Sequence, residues 1–204
     1  WLGNVNSIYY GYKKEAQYSL DIAKAKALLA QAGFPDGKGL EQYKSAFTLY
    51  YTAERSTVLE PIANRIATSL KQIGINITLS PLSISEMATR ELTKFDLPMW
   101  LRDQLQPIGT DAGYAVGVFF ASKAKGGIVP STNYDGVDAD YVAQQSQTGA
   151  TRLKTLYRMQ DKLMADLPLI PIVEFTSSYA VRKGITALEG RPNNTVTYWY
   201  LKSA

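Results

Sequence analysis

A strand, a helix and a second strand follow one another between Ala46 and Leu79, and that order restricts the chain to few folds. Ala46–Thr52 (AFTLYYT) is rich in aromatic and branched residues and reads as a buried strand. Ser56 or Thr57 opens a helix in which Leu59, Ile62, Ala63, Ile66, Leu70 and Ile73 recur at helical spacing, with Pro61 placed in its first turn. Gly74 ends this helix, and Ile75–Leu79 (INITL) forms the second strand. Two strands and one helix in about 33 residues make a βαβ unit, which calls for parallel strands and a right-handed crossover. A further helix from about Ser85 to Lys94 leads into a third strand, Phe95–Leu101, which Pro98 pushes toward an edge or a bulge. The resulting pattern is an open α/β sheet, and ligands of such sheets gather at the carboxyl ends of the strands. Trp100 to Asp103 sit at one such end.

Before this unit, Ser19–Gly37 (SLDIAKAKALLAQAGFPDG) is a helix with both ends written into the sequence. Asp21 is a natural N-cap, and Gly33 followed by Pro35 supplies the left-handed stop. Beyond the unit, helices are expected at about Gly113–Ser122, Asp138–Gln147 and Thr151–Leu167, the last carrying a wide apolar stripe that ends at Pro168. Leu169–Phe175, Tyr179–Lys183 and Thr195–Leu201 read as strands that complete or cover the sheet.

The zero counts of Cys and His remove thiol nucleophiles, imidazole bases, Ser-His-Asp triads and zinc sites of the usual nitrogen and sulfur kind. No apolar run reaches the length of about 18 residues that a membrane-spanning helix needs. The opening WLGNVNSIYYGYKK has neither the charged start nor the apolar centre of a signal peptide, so the chain as given reads as cytosolic or already trimmed. Net charge is +4, but the cations are scattered, and pairs such as Lys123 with Lys125 or Arg182 with Lys183 are too short for a nucleic-acid footprint. Fourteen Tyr and three Trp supply amphipathic rings suited to clefts as well as cores.

The residues of the first helix also resemble a signature of the family 5, peptide and nickel type, extracellular solute-binding proteins of bacterial ABC importers. Lys24-Ala25-Lys26-Ala27-Leu28-Leu29 and Ala32-Gly33-Phe34-Pro35-Asp36-Gly37 match that signature position by position. Four further stretches follow in the family's order: Ile66–Leu79, the segment Trp100–Pro107, Asn133–Asp140 and Arg152–Pro171. The resemblance implies a type II periplasmic-binding-protein-like lobe, an open mixed sheet with flanking helices. It implies that residues 1–204 form a C-terminal lobe of a larger two-lobed protein, with residues from about 176 to 204 packing back toward the N-terminal lobe.

The resemblance further implies a substrate-binding component of an importer, periplasmic, or a membrane-associated lipoprotein in a Gram-positive source. Its partners are a small solute, a peptide or another amine-bearing molecule, and a membrane permease, with no nucleic acid, no cofactor and no metal. In peptide-binding members a segment like Gly-Trp-x-x-Asp-Tyr-x-x-Pro lines the cleft. The matching residues are Trp100, Asp103 and Pro107, with Asp103 paired to a ligand ammonium and Trp100 packed on the ligand. Gln104 stands where the family has an aromatic residue, Arg102 where it has a small one, and Met99 where it has Gly. Arg102 is therefore expected either to neutralise Asp103 or to bind an anionic ligand. Trp100, Arg102, Asp103 and Gln104 are the candidate ligand residues, and none is assigned a catalytic role. The alternatives are a carboxylate-based hydrolase, resting on pairs such as Asp103 with Asp111 or on a Ser with Lys, and a shortened protein-interaction module.

Overall fold

The computed structural model describes residues 9–14, 18–94, 96–103, 111–122, 125, 134–172, 183, 185–186 and 202–203. The chain divides into two compact units, Tyr18–Gln104 and a second made of Trp1–Gln17 with Leu105–Ala204.

In the first unit, α1 (Ile22–Gln31) begins where expected. The Asp21 carboxylate accepts from the Lys24 amide at 2.8 Å. Gly33 then turns left-handed, at φ +92°, and Pro35–Gly37 form one 3-10 turn. Residues 40–47 add irregular 3-10 turns that the sequence pattern did not foretell. Strand β1 (Thr48–Thr52) runs into a short turn, Ala53–Arg55, and then α2 (Ser56–Lys71). Pro61 is its sixth residue and so lies in the second turn rather than the first.

Strand β2 is Thr78–Leu82, three residues later than the periodicity suggests. The displacement follows from Gly74, whose φ of +88° turns the chain sharply after α2, so that residues 75–77 are spent returning to the sheet. Helix α3 (Ile84–Thr89) continues into a π turn, Arg90–Lys94. Strand β3 is only Met99–Leu101, beginning after Pro98 rather than at Phe95, which lies outside the described residues.

All pairings in this sheet are parallel and the order is β2-β1-β3. Strand β2 is thus an edge, which is why Pro81 is tolerated within it. Residues alternate between the faces. Leu49 and Tyr51 turn to α2, forming a core with Leu59 and Ala63 that is flanked by Ile66, Ile77, Leu79, Met99 and Leu101. Tyr50 and its register partner Trp100 belong to the opposite face.

The core of the second unit, among the described residues, is built by helices. Helices α4 (Ala112–Phe119), α5 (Asp138–Gln144) and α6 (Gly149–Asp166) fall on the three expected segments. They share a core of Tyr9, Ala112, Ala115, Val116, Phe119, Val137, Leu156, Met159 and Leu163. The buried Gln160 side chain ties in the N-terminal segment. Its amide nitrogen donates to the Gly11 carbonyl at 2.7 Å and its oxygen accepts from the Lys13 amide at 2.9 Å. Leu167, left-handed at φ 46°, closes α6 just before Pro168.

Leu169–Ile172, expected to begin a strand, is irregular, because it follows directly on that left-handed stop and has no strand partner among the described residues. The rest of that segment, and almost all of the next two expected strands, lie outside the described residues. A short antiparallel pair, β4 (Ile185–Thr186) with β5 (Lys202–Ser203), is described beside them.

Candidate ligand-binding site

The carboxyl ends of the three parallel strands carry the charged residues of the first unit. After β1 come Glu54 and Arg55, after β2 the N-terminus of α3, and after β3 Arg102 and Asp103. The Glu54 carboxylate accepts from the Ile84 amide at 3.0 and 3.1 Å, joining the turn after β1 to the start of α3. Ser83 caps the same helix through its hydroxyl, which accepts from the Glu86 amide at 3.2 Å.

Asp103 does not stand free. Arg55 donates to one of its carboxylate oxygens from Nε at 2.6 Å, with Nη2 at 2.5 Å from the same oxygen. The Arg55 side chain stays 52% exposed and that of Asp103 22% exposed. Arg102 turns elsewhere, and its Nη1 donates to both carboxylate oxygens of Glu91 at 2.7 and 2.8 Å. Of the two expectations for Arg102, neutralising Asp103 is the one the structure excludes, since Arg55 fills that place and Glu91 claims Arg102. Neighbouring residues at the end of a strand diverge toward opposite faces, which accounts for the different partners.

Glu91 is buried, its side chain only 2% exposed, and the π turn of Arg90–Lys94 carries it. In the same turn Arg90 lies over the Tyr50 ring, 4.5 Å from its centroid, while its Nε donates to Asp96 at 2.9 Å. Trp100 is half-buried on the sheet face that carries Tyr50. Gln104 and Pro107 lie outside the described residues. Arg55 and Glu91 escaped sequence reasoning. Only the placement of Arg55 directly after a strand hinted at it, and Glu91 is one acid among several on a helical stretch.

The Asp111 cluster of the second unit is a structural clamp. Asp111 caps α4 by accepting from the Gly113 amide at 2.8 Å, and it pairs with Arg152 through both oxygens at 2.7 and 2.8 Å. Arg152 also donates from Nε and Nη2 to Gln144, and its guanidinium lies 5.5 Å from the Tyr10 ring centroid. Burial pushes the Asp111 carboxyl up. The Arg152 guanidinium and the amides of Gly113 and Tyr114 outweigh that and hold it below the ordinary carboxylate value. With Asp103 held by Arg55 and Asp111 by Arg152, neither acid of the hydrolase alternative is a free carboxyl. Among the described residues no group of three or more acidic side chains is arranged to hold a metal ion.

An open parallel sheet flanked by helices matches a lobe of the type II periplasmic-binding-protein kind. Residues 3–127 match the family described as bacterial extracellular solute-binding proteins, family 5 middle, and the chain belongs to that family. Comparison with curated proteins gives no match.

Among solved structures the fold is similar to HbpA2 from Haemophilus parasuis, with TM-score 0.73 and 18% identity over 95% of this chain and 38% of that one. It is similar to AgaA from A. tumefaciens in complex with agropinic acid, with TM-score 0.71 and 23% identity over 93% and 38%. It is also similar to DppA from Helicobacter pylori in complex with the peptide STSA, with TM-score 0.67 and 20% identity over 81% and 31%. The chain therefore spans about a third of the length of the structures it matches.

Proposed function

We propose that this chain is the C-terminal lobe of the substrate-binding component of an ABC importer. It acts outside the cytoplasm, captures a small solute between two lobes and delivers it to a membrane permease. On this reading the N-terminal lobe belongs to the same protein, and residues from about 176 to 204 return toward it. The observation that carries the proposal is the position of Trp100 and Asp103 at the carboxyl end of β3 in a chain of this family.

The action is binding without chemistry. A ligand that touches both lobes stabilises the closed form over the open one by its differential contacts, and the permease reads the closed form. Asp103 receives an ammonium group of a peptide or similar solute, Trp100 offers an apolar wall, and Arg102 and Gln104 flank them. A carboxylate in a closed, water-poor cleft binds an ammonium group more strongly than an exposed one does. That AgaA holds agropinic acid and DppA a peptide supports a small polar cargo of this kind.

Titration calorimetry on the protein as its gene encodes it tests the reading. A peptide or amine-bearing solute binds the wild type, and Asp103→Ala weakens it by about tenfold or more, the scale of one lost charge-assisted contact. Unchanged affinity would remove Asp103 from the site.

A further inference from the structure

We propose that Arg102 is a carboxylate receptor, so that the captured solute carries an anionic group in addition to its ammonium. The inference rests on the solute-capture reading above and names the chemistry of its cargo. Among the described residues, Arg55, Arg90, Arg152 and Arg158 each spend two or three guanidinium nitrogens on their acidic partners and neighbouring groups. Arg102 spends one. Both oxygens of Glu91 converge on its Nη1, and the edge formed by Nε and Nη2 has no partner among the described residues.

That edge is the geometry that matches a carboxylate with two parallel hydrogen bonds. The Arg102 side chain keeps 30% exposure at the carboxyl end of β3, where ligands of open parallel sheets bind. Its anchor is built for placement. Glu91 is buried, and it sits on a π turn, a distortion of the helix that costs backbone hydrogen bonding and recurs at functional sites. Glu91 is therefore a positioning residue, gripping one corner of the guanidinium and leaving the opposite edge open.

The neighbouring charges agree. Arg55 already neutralises Asp103, so this end of the sheet does not present two uncompensated acids that would repel an anion. Arg102 and Asp103 are consecutive residues after β3, so a solute seated at this strand end has one cation and one acid of the protein to meet. A peptide that carries an acidic side chain besides its ammonium supplies both charges.

The test measures the affinity of the protein as its gene encodes it for the tripeptides Ala-Glu-Ala and Ala-Gln-Ala, which differ by one charge. The wild type binds Ala-Glu-Ala at least about tenfold tighter, the scale of one charged hydrogen-bonded pair. The preference falls to within about twofold in Arg102→Gln. Glu91→Gln, which leaves the Arg102 charge in place and weakens its anchor, lowers the preference.

Because Arg102→Gln strands a buried carboxylate, the double variant Glu91→Gln/Arg102→Gln provides a charge-balanced control, and it too loses the preference. Equal wild-type affinity for the two peptides, or a preference that survives in the double variant, overturns the inference and leaves solute capture standing. Failure of the wild type to bind either peptide overturns the peptide cargo itself, and the inference with it.

Discussion

Arg55, in the turn after β1, holds Asp103, in the segment after β3, with Nη2 and a carboxylate oxygen 2.5 Å apart. The carboxylate proposed above to receive a ligand ammonium is thereby paired with a cation of the protein itself. Arg55 remains 52% exposed, so it can swing away into solvent at little cost in burial. On the proposed reading, a ligand ammonium exchanges one ion pair for another instead of entering an unneutralised site.

Replacing Arg55 shows this competition. Arg55→Gln removes the resident cation, and an amine-bearing solute binds several-fold tighter, with slower dissociation. Calorimetry or surface plasmon resonance on the protein as its gene encodes it gives the comparison, and an affinity that falls would mean that Arg55 itself contacts the solute.

Glu91 also carries a stability consequence. Truncating its partner, Arg102→Ala, leaves a carboxylate with a 2% exposed side chain uncompensated, and urea unfolding is expected to show a loss of about 3 kcal/mol. The paired change Glu91→Gln/Arg102→Gln costs much less, because no lone charge stays buried. A loss in the double variant as large as in the single one would contradict this account.

Two glycines join the loop after α1 to the loop after α2. Gly37 has φ +77° and Gly74 φ +88°, and a Cβ on either would press into backbone of the other loop, at the Gly74 carbonyl or the Asp36 carbonyl. Both a strained conformation and a backbone clash follow from Gly74→Ala, so a loss of about 2 kcal/mol or more is expected in denaturant titration. Gly33→Ala is the control. It has the same hand of φ but nothing within 4 Å of its Cβ, and it costs less than Gly74→Ala.

The Asp111–Arg152 clamp sets an acid limit. Because the folded state holds the Asp111 carboxyl below its ordinary value of 3.8, its contribution to stability is complete above that value. The contribution is lost as pH falls through the lowered folded value. Urea midpoints measured at pH 6 and near pH 2 therefore fall further apart for the wild type than for Asp111→Asn. Equal pH dependence of the two would mean that the clamp contributes nothing.

The βαβ order, the Asp21 cap and the three helices of the second unit were legible because local signals and apolar spacing agreed with the fold. The start of β2 was misjudged because Ile75, Ile77 and Leu79 alternate as a strand should, whereas the left-handed Gly74 spends residues 75–77 on the return to the sheet. Trp100, Arg102 and Asp103 are proposed as ligand residues from the order of residues alone. Their partners were not legible there, since Arg55 and Glu91 lie 48 and 11 residues away along the chain. No period or motif announces which cation meets which acid across a sheet. The π turn that carries Glu91 was equally silent, because its residues continue the helical pattern of α3.

Native mass spectrometry of the protein purified from its own cell envelope, compared with Asp103→Ala prepared in the same way, tests the central claim most directly. The account predicts that the wild type retains a small adduct carrying both an amine and a carboxylate, and that the variant loses most of it. An adduct retained in full by Asp103→Ala, or a wild type that turns over peptide instead of holding it, would contradict the assignment of this strand end as a solute-capture site.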